Sequence, residues 1–269
     1  MKIIILIKQV PAVHEIRINR TLGTVQREGF DAMINPDDEH ALELGLSLKE
    51  KFGGEVYAVS MGPPQAEGAL RECLAMGVDY AVLLSHHRFA MSDTLQTTFV
   101  LERAIRKLEP FDIVITGSKT LDSGTGHIPV QLSEALAIPL ISQIYKMEIK
   151  NGFFIGERTY GHEYQSIKVK LPIIIRVDRG FNEVRFIPLL GIKQAFEKKI
   201  EIWNFDTFEC PDEIDGCEKS PTKLLEVIDE KIIRKNVEII GTNDEKAQKI
   251  LDFIKKVHIQ KIKSPLDLE

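Results

Sequence analysis

The sequence has few cysteines and no excess of positive charge, and both shortages exclude classes of protein. Three cysteines occur among 269 residues, an odd and sparse set that fits a reducing compartment better than a disulfide scaffold. The net charge is −5 at pH 7, whereas a protein that binds nucleic acid usually presents a basic face. We therefore expect a cytoplasmic protein that does not bind nucleic acid.

Long apolar runs are also lacking. None approaches the roughly 20 residues that a helix needs to cross a membrane, so we expect no membrane span. Residues 1–8 become polar too soon for a signal peptide, and we interpret them as a first buried strand. The hydrophobic share of 43% and the charged share of 28% are ordinary for a globular protein.

Several short motifs of catalysis are missing. No Gly-Lys-Ser/Thr follows a Gly-rich loop, and neither G-x-G-x-x-G nor G-x-S-x-G occurs. The adjacent His86 and His87 lack further ligands at suitable spacing, and the spacing of Cys210 and Cys217 is not a zinc pattern. Cys73 stands among apolar residues of a predicted helix and is expected in the core. The sequence therefore predicts neither a catalytic set nor a metal site.

What the sequence does contain is a regular alternation of strands and helices. Buried-strand patterns cover residues 2–7, 55–60, 80–84 and 111–116, and a helical pattern follows each within residues 1–139. This alternation predicts right-handed βαβ units, and hence a parallel sheet with helices on both faces. In such sheets, ligands bind at the carboxyl ends of the strands.

The segment from residue 111 to 139 carries the clearest binding signal. Its strand breaks at Gly117, a polar Gly-rich loop follows up to Gly126, and a helix then begins. Such a turn exposes backbone N–H groups at the positive end of a helix, which suits a phosphate. The pattern is compatible with nucleotide binding and with a plain strand–turn–helix connection. Asp122 either accepts a ribose hydroxyl or caps the turn.

Two further helix starts have capping residues. In Asn35-Pro36-Asp37-Asp38, asparagine suits the N-cap and proline the first helical position. Ser92-Asp93-Thr94 is a second anion site or, taken alone, a structural N-cap.

The pattern changes after residue 139. Strand-like runs at 145–149, 153–160, 164–170 and 173–177 predict antiparallel hairpins at the edge of the core. A small excursion or hairpin is expected within residues 17–26, a loop at 178–188, a short helix at 189–196 and a helix at 243–257. We place an α/β domain at 1–205 and a C-terminal arm at 206–269, which has little core of its own and is expected to lie on another surface.

Several segments in register resemble the β subunit of electron transfer flavoproteins, over nearly all of the chain up to about residue 205. They are K-Q-V-P (8–11), I-N-P-D-D-E-H-A-L-E (34–43), V-S-M-G-P-P-Q-A-E (59–67), L-A-M-G-V-D (74–79), the loop of 117–126, K-V-K-L-P (168–172) and N-E-V-R-F (182–186). The loop is similar to the family's G-x-Q-A-x-D-x-D-x-x-Q-x-G, but has Ser118-Lys119, Ser123-Gly124 and His127 where the family pattern differs.

This resemblance implies a Rossmann-like three-layer α/β sandwich, similar to the adenine nucleotide α-hydrolases, with an antiparallel extension and an extended C-terminal arm. It also implies an α subunit as partner and a nucleotide in the β subunit. Conventional members hold AMP there, and electron-bifurcating members hold FAD that takes hydride from NADH. The D-T-x-x-T helix start at residues 93–97 resembles that of the bifurcating members. A second helix N-terminus also offers a place for a second phosphate, which FAD has and AMP lacks.

We therefore expect FAD, with AMP as the alternative and NAD(H) as electron donor. The nucleotide-binding residues implied by the resemblance are Leu6, Lys8, Val10, Asn35, Asp38, Met61, Gly62, Asp93, Thr94, Thr97, Gly117, Thr120, Asp122, Ser123, Gly124, Thr125, Gly126, His127 and Ile128. Lys8, Lys119 or His127 is expected to stabilise an anionic flavin.

The resemblance further implies a docking loop for acyl-CoA dehydrogenases at about 178–199, with Arg185 and the protruding Leu189. Val184 stands where the family has proline before this arginine. The competing interpretation is a non-redox adenine-nucleotide-binding module of the same fold, such as a universal stress protein.

Overall fold

The computed structural model describes residues 1–12, 18–19, 24–25, 32–208, 215–216, 218–223 and 237–262. The chain forms two compact units, Met1–Val227 and Ile228–Glu269. The first unit therefore includes residues 206–227 of the segment 206–269 that the sequence analysis named the C-terminal arm. Cys210 and Cys217 lie outside the described residues.

A seven-stranded parallel sheet forms the centre of the first unit. Its strands are β1 (Lys2–Leu6), β6 (Glu55–Met61), β7 (Tyr80–Leu84), β8 (Ile113–Gly117), β9 (Leu140–Ile141), β13 (Ile173–Val177) and β14 (Ile200–Trp203). Their order in the sheet is β14–β7–β6–β1–β8–β13–β9, and every neighbouring pair is parallel. The predicted α/β class and parallel sheet are confirmed.

Helices cover both faces of this sheet, so the unit has three layers. Successive isoleucines of β1 alternate: Ile3 and Ile5 pack into the core beneath α1 and α2, whereas Ile4 packs beneath α3 and α4. Continuous Ile/Val runs form such strands because both faces are buried. The helices are α1 (Pro36–Phe52), α2 (Glu67–Met76), α3 (Thr94–Lys107), α4 (Ile128–Leu136) and α5 (Leu189–Glu197). Cys73 is buried in the core, as expected.

The antiparallel extension is present but has one strand fewer than the sequence pattern predicted. It contains β10 (Ile144–Lys150), β11 (Phe153–Tyr160) and β12 (Glu163–Lys170). The assignment of residues 173–177 to this extension was wrong: they form β13, which inserts between β8 and β9 of the parallel sheet. Its Ile-Ile-Ile-Arg-Val run is buried on both faces, which a central parallel strand requires.

Small strands complete the first unit. Strand β2 (Gln9–Pro11) pairs with β5 (Ala32–Ile34), and β3 (Ile18–Asn19) pairs with β4 (Thr24–Val25). The second of these pairs confirms the hairpin expected within residues 17–26. Strand β14, at the edge beside β7, was not anticipated.

The second unit contains α6 (Asn243–Ile262), which confirms the predicted helix and extends it by about a turn. Ile250, Leu251, Phe253 and Ile254 of this helix are exposed. Within the described residues, no helix combines the length and apolarity that crossing a membrane requires.

Candidate functional site

The candidate site lies at the carboxyl edge of the sheet, where β1 and β8 are neighbours. In the sheet, β6 and β7 lie on one side of β1, whereas β8 and then β13 lie on its other side. Connections leaving two such strands diverge to opposite sides, and open α/β sheets bind ligands in the crevice at such a switch point. Lys8 follows β1, and the loop of residues 118–126 follows β8.

An ion pair joins these two connections. The Lys8 ammonium donates to both carboxylate oxygens of Asp122, at 2.9 and 2.7 Å. The Asp122 side chain is only 5% exposed, so its charge is held in a sheltered position where a paired cation is favourable. Asp122 therefore links the loop to the end of β1, a role that the sequence alone did not indicate.

Asn35 holds the same loop from the side of α1. Its amide donates to the Lys119 carbonyl and accepts from the Leu121 N–H, both at 2.9 Å. Asn35 is the N-cap residue of α1, as predicted, but its side chain makes no capping hydrogen bond. Both the N–H and the oxygen of this buried amide are instead bound to the backbone of the loop. Pro36 begins the helix, as predicted.

Two aspartates of the first α1 turn complete the contact with β8 and its loop. Asp37 accepts from the Lys119 N–H at 3.2 Å, and Asp38 accepts from the Lys8 N–H at 2.8 Å. Burial raises the pKa of Asp38 to about 7, against the hydrogen bonds from Lys8 and Asn35 that lower it. Gly117 is required here, because a β-carbon would collide with the Asp38 carboxylate and the backbone of Asp37.

The loop itself is a tight, polar turn. The Gly124 N–H donates to the Thr120 carbonyl at 2.9 Å, and the Thr120 and Ser123 hydroxyls share a hydrogen bond of 2.7 Å. Gly124 and Gly126 have φ of 64° and 65°, a left-handed backbone that glycine adopts at little cost. Ser123, Thr125 and His127 are exposed, and Ile128 begins α4.

Helices α3 and α4 begin side by side at this edge. Gln131, in the first turns of α4, donates to the Thr94 hydroxyl at 3.2 Å and accepts from the Thr98 hydroxyl at 3.0 Å. Asp93 accepts from the Gln96 N–H at 3.0 Å, so the predicted N-cap is confirmed. Because both helices start here, two positive helix ends face the same edge of the sheet.

A downstream segment, residues 215–216 and 218–223, also contacts the start of α3. The Asp93 N–H donates to the Ser220 hydroxyl at 2.9 Å, and the Asp93 carboxylate accepts from the Thr222 N–H at 3.0 Å. Gly216 donates to the Arg88 carbonyl at 2.7 Å. This segment therefore belongs to the first compact unit.

Two buried hydroxyls lie near the ends of central strands. Ser60 in β6 and Thr116 in β8 are buried, and within the described residues their oxygens have no hydrogen-bond partner. Buried polar atoms are nearly always paired in folded proteins. These two hydroxyls are therefore exceptions among the buried polar atoms of the described residues.

The remaining predicted residues are placed less directly. Leu6 and Val10 are buried in β1 and β2, so their side chains pack inside the protein and their backbone is what a ligand would meet. Met61 ends β6, and the Gly62 N–H donates to the Leu84 carbonyl at the end of β7. Thr97 lies in the first turn of α3, where its N–H donates to the Asp93 carbonyl.

The two predicted docking residues differ sharply in environment. Leu189 begins α5 and is 86% exposed, and Phe186 nearby is 97% exposed. Arg185 instead forms ion pairs with Glu43 and Glu50 of α1. Sequence reasoning also missed the buried Ser60 and Thr116, since a small polar residue within an apolar strand was their only signal.

Comparison with known proteins places the chain in a family. The family model described as "Electron transfer flavoprotein domain" matches residues 22–207. The electron transfer flavoprotein subunit beta of Thermoanaerobacterium thermosaccharolyticum is 38% identical over 260 residues, 96% of this chain and 100% of that protein. The subunit CarD of the caffeyl-CoA reductase–Etf complex of Acetobacterium woodii is 35% identical and covers 96% of this chain and 100% of that protein.

A third relative, protein FixA of Azotobacter vinelandii, is 35% identical over 94% of this chain and 92% of its own length. These matches extend over nearly the whole chain and agree with the α/β fold and its crevice. They show that the chain belongs to the electron transfer flavoprotein family, among its β subunits and FixA proteins.

Proposed function

We propose that the chain is the β subunit of a cytoplasmic, heterodimeric electron transfer flavoprotein of the electron-bifurcating kind. In this proposal it binds FAD in the crevice between β1 and β8, with NADH as electron donor. The α subunit and a dehydrogenase then receive the electrons. Family membership supports the electron-transfer role, and the geometry of the crevice supports the nucleotide.

The observation that carries the choice of FAD is the pairing of two helix starts. The Gln131 side chain ties the first turn of α3 to the beginning of α4, so two positive helix ends lie together. FAD has two phosphates, whereas AMP has one, and each helix N-terminus is an anion site.

The residues present fit such a group. Backbone N–H groups of the loop at 118–126 and the start of α4 suit one phosphate, and Thr94 and Thr97 suit the other. A bound flavin supplies the redox chemistry, and the protein contributes position and electrostatics.

Lys8, Lys119 and His127 are the residues that the sequence suggested for stabilising an anionic flavin, and their surroundings differ. The ammonium of Lys8 is paired with Asp122, so its field is largely neutralised. Lys119 and His127 are exposed on the loop, which makes them the better candidates for stabilising an anionic flavin.

One observation favours the alternative, a conventional β subunit that holds AMP. The Asp93 N–H and carboxylate are already bound by Ser220 and Thr222, which satisfies part of the α3 start from within the chain. In that case α3 is capped structurally and the loop of 118–126 binds the single phosphate.

Docking of an acyl-CoA dehydrogenase or a related dehydrogenase at residues 178–199 completes the proposal. It is supported by the exposed apolar side chains of Phe186 and Leu189. Two relatives are named as subunits that work with a reductase of a CoA ester. They are the caffeyl-CoA reductase–Etf complex subunit CarD and an acryloyl-CoA reductase electron transfer subunit of Anaerotignum propionicum.

Counting flavins in the co-purified two-subunit complex tests the proposal. Two FAD per heterodimer, one of them reduced by NADH, is the expected result. One FAD together with AMP would instead establish the conventional carrier. A colourless complex would contradict both electron-transfer readings and favour the non-redox nucleotide module.

A further inference from the structure

The segment that leads to the exposed docking residues is attached to α1 at two points. We call residues 178–188 the docking segment. The first attachment is His40: its Nδ1 lies 2.8 Å from the Asn182 side-chain oxygen, and its Nε2 accepts from the Gly180 N–H at 3.3 Å. The Asn182 amide also donates to the His40 carbonyl at 3.0 Å.

These contacts assign a hydrogen-bonding role to each ring nitrogen of His40. A backbone N–H can only donate, so Nε2 must carry a lone pair. The Asn182 oxygen can only accept, so Nδ1 must carry the proton. In this arrangement His40 donates through Nδ1 and accepts through Nε2, so it contacts one acceptor and one donor of the docking segment at the same time.

The second attachment is a two-pronged ion pair. The Arg185 guanidinium donates to Glu43 at 2.7 and 2.9 Å and to Glu50 at 2.5 and 3.3 Å. The Arg185 N–H donates to Glu43 as well, at 3.1 Å. Glu43 is only 7% exposed, and its burial opposes ionisation. The hydrogen bonds from Arg185 and Ser47 outweigh that burial and lower the pKa of Glu43.

The exposed apolar side chains begin directly after this ion pair. Phe186 follows Arg185 in the chain, and Leu189 starts α5. The Arg185 guanidinium thus donates its hydrogen bonds to α1, while the side chain of Phe186 is exposed to solvent. A loop held in its bound conformation before the partner arrives loses less freedom on binding, which strengthens association.

Helix α1 is also the support of the candidate nucleotide site. Asn35 and Asp37, at its first turn, hold the loop of 118–126, whereas His40, Glu43 and Glu50 hold the docking segment. A continuous helix is a rigid element, so the two surfaces are held at a fixed distance by one support.

We infer that His40, Glu43 and Glu50 are positioning residues that preorganise the docking segment for a dehydrogenase, and that Arg185 acts through α1 rather than by touching the partner. This inference rests on the proposed function, because it presumes that residues 178–199 dock a dehydrogenase. It changes the role implied for Arg185 and leaves partner contact to the apolar side chains.

The test uses the reconstituted heterodimer with a purified acyl-CoA dehydrogenase. Two variants loosen the segment: His40→Ala, and the double variant Glu43→Gln with Arg185→Gln, which leaves no charge without its counter-ion in the buried position. Lys49→Gln is the matched control, since it breaks a 2.6 Å ion pair of the same helix, with Asp79, outside the docking segment. The readouts are KM for the dehydrogenase, kcat, flavin content, and hydrogen exchange of residues 178–188.

We expect both loosening variants to raise KM about 10-fold through lost preorganisation, with kcat within about 2-fold of the unmodified complex. Hydrogen exchange at Gly180 and Arg185 should accelerate, while flavin content and the rate with a small dye acceptor stay the same. Arg185→Lys keeps the charge but not the two-pronged geometry, and should fall between. Lys49→Gln should leave KM unchanged.

Faster exchange with an unchanged KM would overturn the inference, because the segment would then dock equally well when loose. An equal loss of kcat and flavin content would also overturn it, since α1 contacts would then support the fold in general. An unmodified heterodimer that passes no electrons to or from the dehydrogenase would refute the docking part of the proposed function, and the inference with it.

Discussion

Two connections leave adjacent strands of one sheet edge and expose opposite kinds of surface. The loop of 118–126 follows β8, and the docking segment follows β13, its parallel neighbour. The first is polar and turns through glycines with left-handed backbone. The second carries Phe186, which is 97% exposed. Both are held by side chains of α1.

The difference lies in what remains available after each connection is fixed. The loop is held by Asn35, which binds its backbone, and by the ion pair of Asp122 with Lys8, so these polar side chains are already engaged within the protein. In the docking segment, Arg185 is engaged in the same way, but apolar side chains face outward. A small anion suits the first surface, and a protein surface suits the second.

The largest effect is expected where β8 passes closest to α1. Gly117→Ala places a β-carbon against the Asp38 carboxylate and the α1 backbone, which should destabilise the protein by about 3 kcal/mol. Urea unfolding measures this. Gly68→Ala is the control, because that exposed helical glycine meets only the flexible end of Gln9 and should gain roughly 0.5 kcal/mol. Equal stability of the two variants would contradict the tight packing.

Asp38 should make the loop side of the comparison sensitive to pH. Its folded-state pKa is raised to about 7 from 3.8, so the folded protein binds an extra proton between these values and loses stability as pH rises through them. Asp38→Asn lacks this loss. The stability of the variant relative to the unmodified protein should therefore improve by roughly 2–3 kcal/mol from pH 5 to pH 8. If the difference in unfolding free energy between Asp38→Asn and the unmodified protein stayed constant with pH, the Asp38 carboxylate would not be the source of the pH dependence.

Removing the Asn35 amide should weaken the nucleotide site more than the docking surface. Asn35→Ala leaves the Leu121 N–H and the Lys119 carbonyl without their partner, at a cost of about 2 kcal/mol. The affinity of the heterodimer for added AMP or FAD should fall about 10-fold or more, with KM for the dehydrogenase nearly unchanged. Asn35→Asp keeps the acceptor for Leu121 and should lose less. If both readouts moved together, α1 would transmit the change between the two surfaces.

The smallest effect on stability is expected at the exposed end of the comparison. Leu189→Ser removes an exposed side chain with little packing of its own, so the free energy of unfolding should change by less than about 0.5 kcal/mol. KM for the dehydrogenase should nevertheless rise. A large drop in melting temperature would show that Leu189 packs within the protein.

The sequence by itself determined the features that depend on local pattern. The apolar runs of β1 and β8 predicted buried parallel strands, because a strand covered on both faces has no polar side. Gly117 and the glycines after it predicted the turn into α4, and Asp93 predicted the cap of α3. These properties depend on neighbouring residues, so the chain order alone is enough to find them.

Only the tertiary structure decided which distant residues meet. The run at 173–177 pairs with β8 rather than with the nearby hairpins. The sequence could not show this pairing, because the partner strand is about 60 residues away and a short apolar run fits either place. The sequence places Asn35 at the start of a helix, but only the structure shows that its amide binds the loop of 118–126. Likewise, only the structure shows that the Arg185 guanidinium pairs with Glu43 and Glu50. A polar side chain can satisfy its hydrogen bonds in several ways, and the folded neighbourhood selects one of them.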